Sequence, residues 1–109
     1  MTDYVQVITT TGTREDAERI ARTLVEGRLA ACVQVFGPIR STYRWKGALE
    51  TAEEWQCVAK SRADRFDAID EAVRALHPYE VAEILAVPMV AGSRPYLDWL
   101  EGQVDGAAP

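Results

Sequence analysis

From Tyr4 to Thr10 the chain reads Tyr-Val-Gln-Val-Ile-Thr-Thr. The run is rich in β-branched and aromatic side chains and predicts a strand that stops at Gly12. Thr13 stands three residues before Asp16, a capping arrangement that opens a helix. Ala17, Ile20, Ala21, Leu24 and Val25 recur at helical spacing as one apolar stripe, and Gly27 is a natural stop. A second strand begins near Ala31 and runs through Phe36. Gly37-Pro38 interrupts it, and because proline gives no donor to a ladder the position predicts a bulge or an edge strand. The chain resumes over 39–45, turns at Lys46-Gly47, and returns as a third strand over about 49–60. Each arm of this hairpin is about twice the common strand length. A two-residue turn sets Cys57 opposite Phe36 rather than Cys32, a register that a bulge moves by one residue.

Ser61 with Asp64 repeats the capping arrangement, and Phe66, Ile69, Val73 and Leu76 mark a second helical stripe. Pro78 disfavours helical backbone at His77, so this helix is expected to close at about Leu76. Residues 82–89 read as a fourth strand. Gly92-Ser93 then leads into a last helix with Leu97, Leu100 and Val104 on one side, followed by a tail expected to fray from about 105 to 109. The order β-α-β-β-α-β plus a terminal helix predicts an α+β fold, the ferredoxin-like split βαβ sandwich with a long β2–β3 hairpin. The length suits a single domain over 1–109. The strands are apolar on both faces: Tyr4 and Ile8 against Val5 and Val7, Val81 and Leu85 against Ala82 and Ile84. The two helices of the repeat cover one face and the terminal helix covers little, so a second copy of the chain is expected on the other.

Composition narrows the partners. The net charge is -5, which argues against a nucleic-acid partner, since phosphate binding needs a basic face. No segment approaches the ~20 apolar residues that span a bilayer, so no membrane partner is expected. The N-terminus carries no export signal, which points to the cytoplasm. Cys32 and Cys57, without an export signal, make a poor case for a disulfide, and each lies in an apolar run where a free cysteine packs as a small hydrophobe.

The most distinctive polar stretch is His77-Pro78-Tyr79-Glu80, which holds the single histidine. His77 reads either as a metal ligand or general base, or as a helix-terminal residue favoured by the dipole. Tyr79 and Glu80 are expected near its ring and beside a cleft, where a carboxylate can orient an imidazole. Cys32 is a soft ligand candidate for copper or zinc, with a packed core cysteine as the alternative. Lys60 is a candidate anion-binding residue or a solvated strand end. Glu50, Glu53 and Glu54 could collect divalent cations with hard oxygen ligands, but read rather as solvated acids that blunt an edge strand. Tyr43 and Trp45 alternate on one face of a ribbon too thin to bury them, so they suit a subunit contact, with a ligand platform as the rival. Tyr96 and Trp99 pose the same choice. No nucleophile elbow or phosphate-cradling glycine loop occurs, and no enzymatic function is expected.

Leu29-Ala-Ala-Cys-Val33, Ser41-Thr-Tyr-Arg-Trp-Lys-Gly47, His77-Pro-Tyr-Glu-Val-Ala-Glu83 and Pro95-Tyr-Leu-Asp-Trp99 together resemble the CutA family of divalent-cation tolerance proteins. The resemblance runs from about Tyr4 to Leu100. It implies a ferredoxin-like fold assembled as a PII-like homotrimer, a long hairpin reaching a neighbouring subunit, and a link to tolerance of copper and other divalent ions. It implies no established reaction. Copper binding in the family is associated with a histidine pair at the His-Pro-Tyr motif and a thiol at the end of the first strand. Here Leu76 precedes His77, and the first strand ends in Thr9-Thr10-Thr11. Only His77 carries over, and a weakly bound Cu or Zn is the cofactor that the resemblance leaves open.

Overall fold

The computed structural model describes residues 3–106. In chain order the elements are β1 (Tyr4–Thr11), α1 (Arg14–Glu26), β2 (Cys32–Trp45), β3 (Ala48–Arg62), α2 (Phe66–Leu76), β4 (Ile84–Pro88) and α3 (Arg94–Gln103). All strands are antiparallel to their neighbours, in the order β2-β3-β1-β4. This is the ferredoxin-like sheet that the element order predicts.

Thr13 caps α1 by accepting from the Asp16 N–H at 3.1 Å, as the spacing requires. The core stripe of α1 is Ala17, Ile20 and Leu24; Val25 lies off it and is exposed. These residues pack with Ile69 and Val73 of α2 against Val5, Val7, Cys57 and Ala59 on one sheet face. Cross-strand partners share a face, so this helix-covered face carries the odd-numbered residues of β1 and β3.

Several expectations need correction. Ser61 does not cap the second helix. Its hydroxyl is buried and donates to the Leu29 carbonyl at 2.6 Å, and a single 3-10 turn over Ala63–Arg65 leads into α2 instead. The third strand ends at Arg62 rather than Lys60, because β1 pairs with it as far as Tyr4↔Arg62. The fourth strand begins at Ile84, since β1 offers it a ladder only from Val5 to Thr9. Cys57 pairs with Val35, not Phe36. The register shifts by one between Phe36 and Ile39, where Gly37-Pro38 forms a bulge on the edge strand. At the start of the tail, Asp105 N–H donates to the Arg28 carbonyl at 2.8 Å and the Gly106 carbonyl accepts from Arg62 at 2.7 Å, so these two residues are held. Residues 107–109 lie outside the described residues.

The hairpin closes through Lys46-Gly47, both at positive φ (49° and 82°). That combination gives a two-residue turn whose twist matches the strands. At the bulge, Gly37 lies under the Trp55 ring, and a Cβ added there would overlap the indole. Gly37→Ala is expected to destabilise the fold by about 1–3 kcal/mol, read as a lowered melting temperature. An unchanged melt would mean that Trp55 swings aside freely.

The second sheet face is covered only at one end. There α3 and the segment after it set Leu100 and Val104 against Ala31, Tyr4 and Met89. The anchor is Arg62, 2% exposed. Its guanidinium donates to Asp64 at 2.9 Å, to Glu101 at 2.9 Å and to the Gly106 and Asp105 carbonyls, while Tyr4 donates to the other Glu101 oxygen at 2.8 Å. The rest of that face stays open, with Phe36, Leu85 and Val87 exposed beside Ile8 and Val58.

Candidate functional site

His77 occupies the C-cap of α2 in extended backbone, as its proline neighbour requires. The residue is 9% exposed. Its Nδ1 accepts from the Tyr79 N–H at 3.2 Å, so the ring proton sits on Nε2, which donates to the Thr10 carbonyl at 2.6 Å. The β4 ladder stops at Thr9↔Ile84. One residue further along β1, the imidazole supplies the hydrogen bond that the strand no longer does. Both ring nitrogens are therefore engaged in holding the chain exit.

That exit places Tyr79. Its ring packs on His77 with centroids 4.7 Å apart, and its hydroxyl donates to Glu54 Oε2 at 2.9 Å. Glu54, on β3 just past the bulge, is 6% exposed and is thus not the solvated acid that its neighbours suggested. Desolvation, reinforced by the Glu54 carboxylate, pushes the Tyr79 phenol up to about 12. A pH titration of tyrosinate absorbance should therefore lose one transition near pH 12 in Tyr79→Phe. Loss of a transition near pH 10 instead would show that the phenol does not meet Glu54.

Around this pair lies a groove of about 650 Å³. Its walls include Tyr43 and Trp45 from the hairpin, Glu54 from β3, and Tyr79, Glu80 and Glu83 from the segment between α2 and β4. At the hairpin tip, Lys46 Nζ lies 3.6 Å from Glu80 and 5.5 Å from the Trp45 ring centroid. Both partners of this ion pair are well exposed, so it guides the tip more than it stabilises it.

The other candidates lie elsewhere. Lys60 stands on the open face opposite Cys32 and Gln6 and donates to Gln34, so it belongs to that face and does not line the groove. Cys32 Sγ lies 3.5 Å from the Tyr96 hydroxyl. Burial, with the Cys32 contact, pushes the Tyr96 phenol up to about 12. Tyr96 and Trp99 stack at 5.6 Å on α3 and remain partly exposed, at the Cys32 end of the sheet. Cys57 is buried, its Sγ 3.4 Å from the Ala17 carbonyl, and burial pushes its thiol up to about 11.

Glu54, expected from the sequence to be a solvated acid, is instead a buried groove wall. Its signal was parity: along β3 it shares the face of Val58, and the bulge sets it opposite Ile39, an apolar partner.

Fold and groove together define a ferredoxin-like domain with an overlong hairpin, an open apolar sheet face and a polar-aromatic groove beside the α2 exit. The chain belongs to the CutA1 family: residues 5–103 match the family described as CutA1 divalent ion tolerance protein. It is 45% identical over 94 residues to the divalent-cation tolerance protein CutA of Thermus thermophilus, covering 86% of this chain and 91% of that one. The crystal structure of CutA from Xylella fastidiosa superposes with a TM-score of 0.92 at 38% identity, over 95% of this chain and 100% of that one. The periplasmic CutA of Archaeoglobus fulgidus does so at 0.91 and 37%, over 94% and 99%. The chain spans about half the length of the mouse and human relatives.

The family description raises the question of a resident metal. The residues do not fit one. His77 has no free ring nitrogen, and no three His, Cys, Asp or Glu side chains converge among the described residues. Cys32 lies in the row of Gln6, four residues along β1 from Thr10 and two strands away. That separation is on the order of 13 Å along the strand alone, far beyond a shared coordination sphere.

Proposed function

We propose that this protein serves tolerance of divalent ions as a homotrimer, with the groove at the boundary between copies holding a small ligand, and without catalytic chemistry of its own. The observation that carries this reading is the open sheet face. Phe36 (49% exposed), Leu85 and Val87 lie on the face of the half-buried Ile8, and among the described residues no element packs over them. Exposed large apolar side chains grouped in this way, here among Gln6, Gln34 and Lys60, mark an interface. The hairpin is a one-sided projection that suits a head-to-tail contact with a neighbour, and such a contact closes as a ring when the rotation between copies closes. Three copies is the ring that the family resemblance implies, and Tyr43 and Trp45 are the anchors that the hairpin would bring.

Copper or zinc binding by His77 would be weak, because the ring must first give up its bond from Tyr79 or to Thr10. The compartment read from the sequence is the cytoplasm, and among the described residues no helix is long and apolar enough to cross a membrane. A second reading, a non-enzymatic scaffold of the PII-like kind, is favoured by the same groove if its occupant is a protein segment rather than a small ligand. Light scattering at micromolar concentration should give three times the chain mass. A folded monomer would defeat the assembly and the burial argument behind it. Copper titration at neutral pH should give only weak binding, reduced further in His77→Ala; tight binding that survives that substitution would place the metal elsewhere.

A further inference from the structure

The groove contains a carboxylate that lacks a counter-charge. Glu54 is 6% exposed, yet among the described residues its only hydrogen bond comes from the neutral Tyr79 phenol, and no Lys or Arg nitrogen lies within ion-pair distance. A buried charge left with one neutral partner is costly, and a cation reaching it removes much of that cost. The surroundings say which kind of cation. Glu83 adds negative charge to the walls, Glu80 is paired with Lys46 at the rim, and among the described residues no basic side chain lines the groove itself. That charge balance disfavours phosphates and carboxylates as ligands. The three acids do not converge as a ligand cluster, whereas a divalent ion of the Ca²⁺ or Mg²⁺ class needs about six oxygens. Tyr43, Trp45 and Tyr79 instead offer aromatic surface, which suits a soft, alkylated cation. At the rim an ammonium already meets both kinds of group: Lys46 Nζ lies 5.5 Å from the Trp45 ring centroid and 3.6 Å from Glu80. The volume is that of a small-molecule site.

We propose that the groove binds a small organic cation, an alkylammonium or alkylguanidinium, with its charged head on Glu54 and its stem along Tyr43 and Trp45. This rests on the groove being the working site, and deepens that reading by naming the ligand class.

The test is calorimetric titration of the intact protein with n-butylammonium and n-butylguanidinium, using n-butylurea as the neutral isostere. At least one cation should bind once per chain, and butylurea at least about tenfold more weakly. Glu54→Gln should weaken the cation at least about tenfold, the effect of losing one charged hydrogen bond. Glu54→Asp keeps the carboxylate and should bind the cation more tightly than Glu54→Gln, which guards against a Glu54 variant that merely folds badly. Absence of binding by either cation, or unchanged affinity in Glu54→Gln, overturns the proposal. So does the case in which wild type binds no cation but Glu54→Gln separates the copies, because the counter-charge then comes from a neighbouring chain. Light scattering on the same samples keeps the two readings apart: a monomer that binds the cation would refute the trimer and leave this inference standing.

Discussion

Arg62→Ala should cost about 1.5–3 kcal/mol of folding stability, the scale of hydrogen bonds to charged groups, because the carboxylates it leaves, Asp64 and Glu101, are each about a third exposed. That is a large share of the ~5–15 kcal/mol typical of a domain. The substitution strands Glu101 and Asp64 and frees the Asp105 and Gly106 carbonyls. It also releases the clamp that presses Leu100 and Val104 onto the sheet. Urea unfolding followed by circular dichroism measures the loss. Arg62→Met, which fills the same space without charge, should lose less than alanine. Acid completes the test. Asp64 titrates below the ordinary carboxylate range, chiefly because Arg62 donates to it. Its contribution is therefore present above the unfolded pKa of ~3.9 and is lost as pH falls through the lower folded value. Wild type should lose stability over that acid range, and the Arg62 variants should lose less. Identical acid profiles, or an alanine loss below ~1 kcal/mol, would mean that α3 is held by apolar contact alone.

Trp45→Ala should weaken assembly by about 2–4 kcal/mol, the scale of an aromatic hot spot, and raise the dissociation constant roughly 30- to 700-fold. Trp45 and Tyr43 share the hairpin face opposite Ala48 and Glu50, and each is more than a third exposed in the single chain. Leu49 is 70% exposed and pairs with Arg44 on the other face. Leu49→Ala is thus the control and should leave assembly within ~0.5 kcal/mol of wild type. Sedimentation across a dilution series reads both. If Trp45→Ala keeps the wild-type mass but loses cation binding, the indole serves the groove alone, and the subunit-anchor reading fails.

The order and class of the elements were legible because each rests on local rules. Thr13 caps its own helix, Pro78 ends the one before it, and Lys46-Gly47 supplies two positive-φ residues in sequence. The two-sided apolar pattern of β1 was legible for the same reason, since alternation along a strand is a one-dimensional property. Ser61 shows where such rules stop. Its spacing to Asp64 satisfies a capping pattern, but burial beside Leu29 gave its hydroxyl a better acceptor.

The residues of the site were partly legible. Tyr79, Glu80, Tyr43 and Trp45 stood out by type and do meet in one groove. Lys60 and Cys32 stood out equally and do not, because strand register carries them to the open face. The roles of His77 and Glu54 were decided only by tertiary contact. A histidine is a ligand or a bracket according to what faces its two nitrogens, and both partners here, Thr10 and Tyr79, depend on where the β4 ladder stops. A glutamate on a long hairpin is solvated or buried according to a one-residue bulge and a phenol 25 positions away. By itself the sequence determined the elements, their order, the long hairpin and the surplus of apolar surface, since these follow from period and local backbone preference. The tertiary structure decided which polar groups are satisfied and which wait for a partner, since desolvation and hydrogen bonding are set by neighbours distant in the chain.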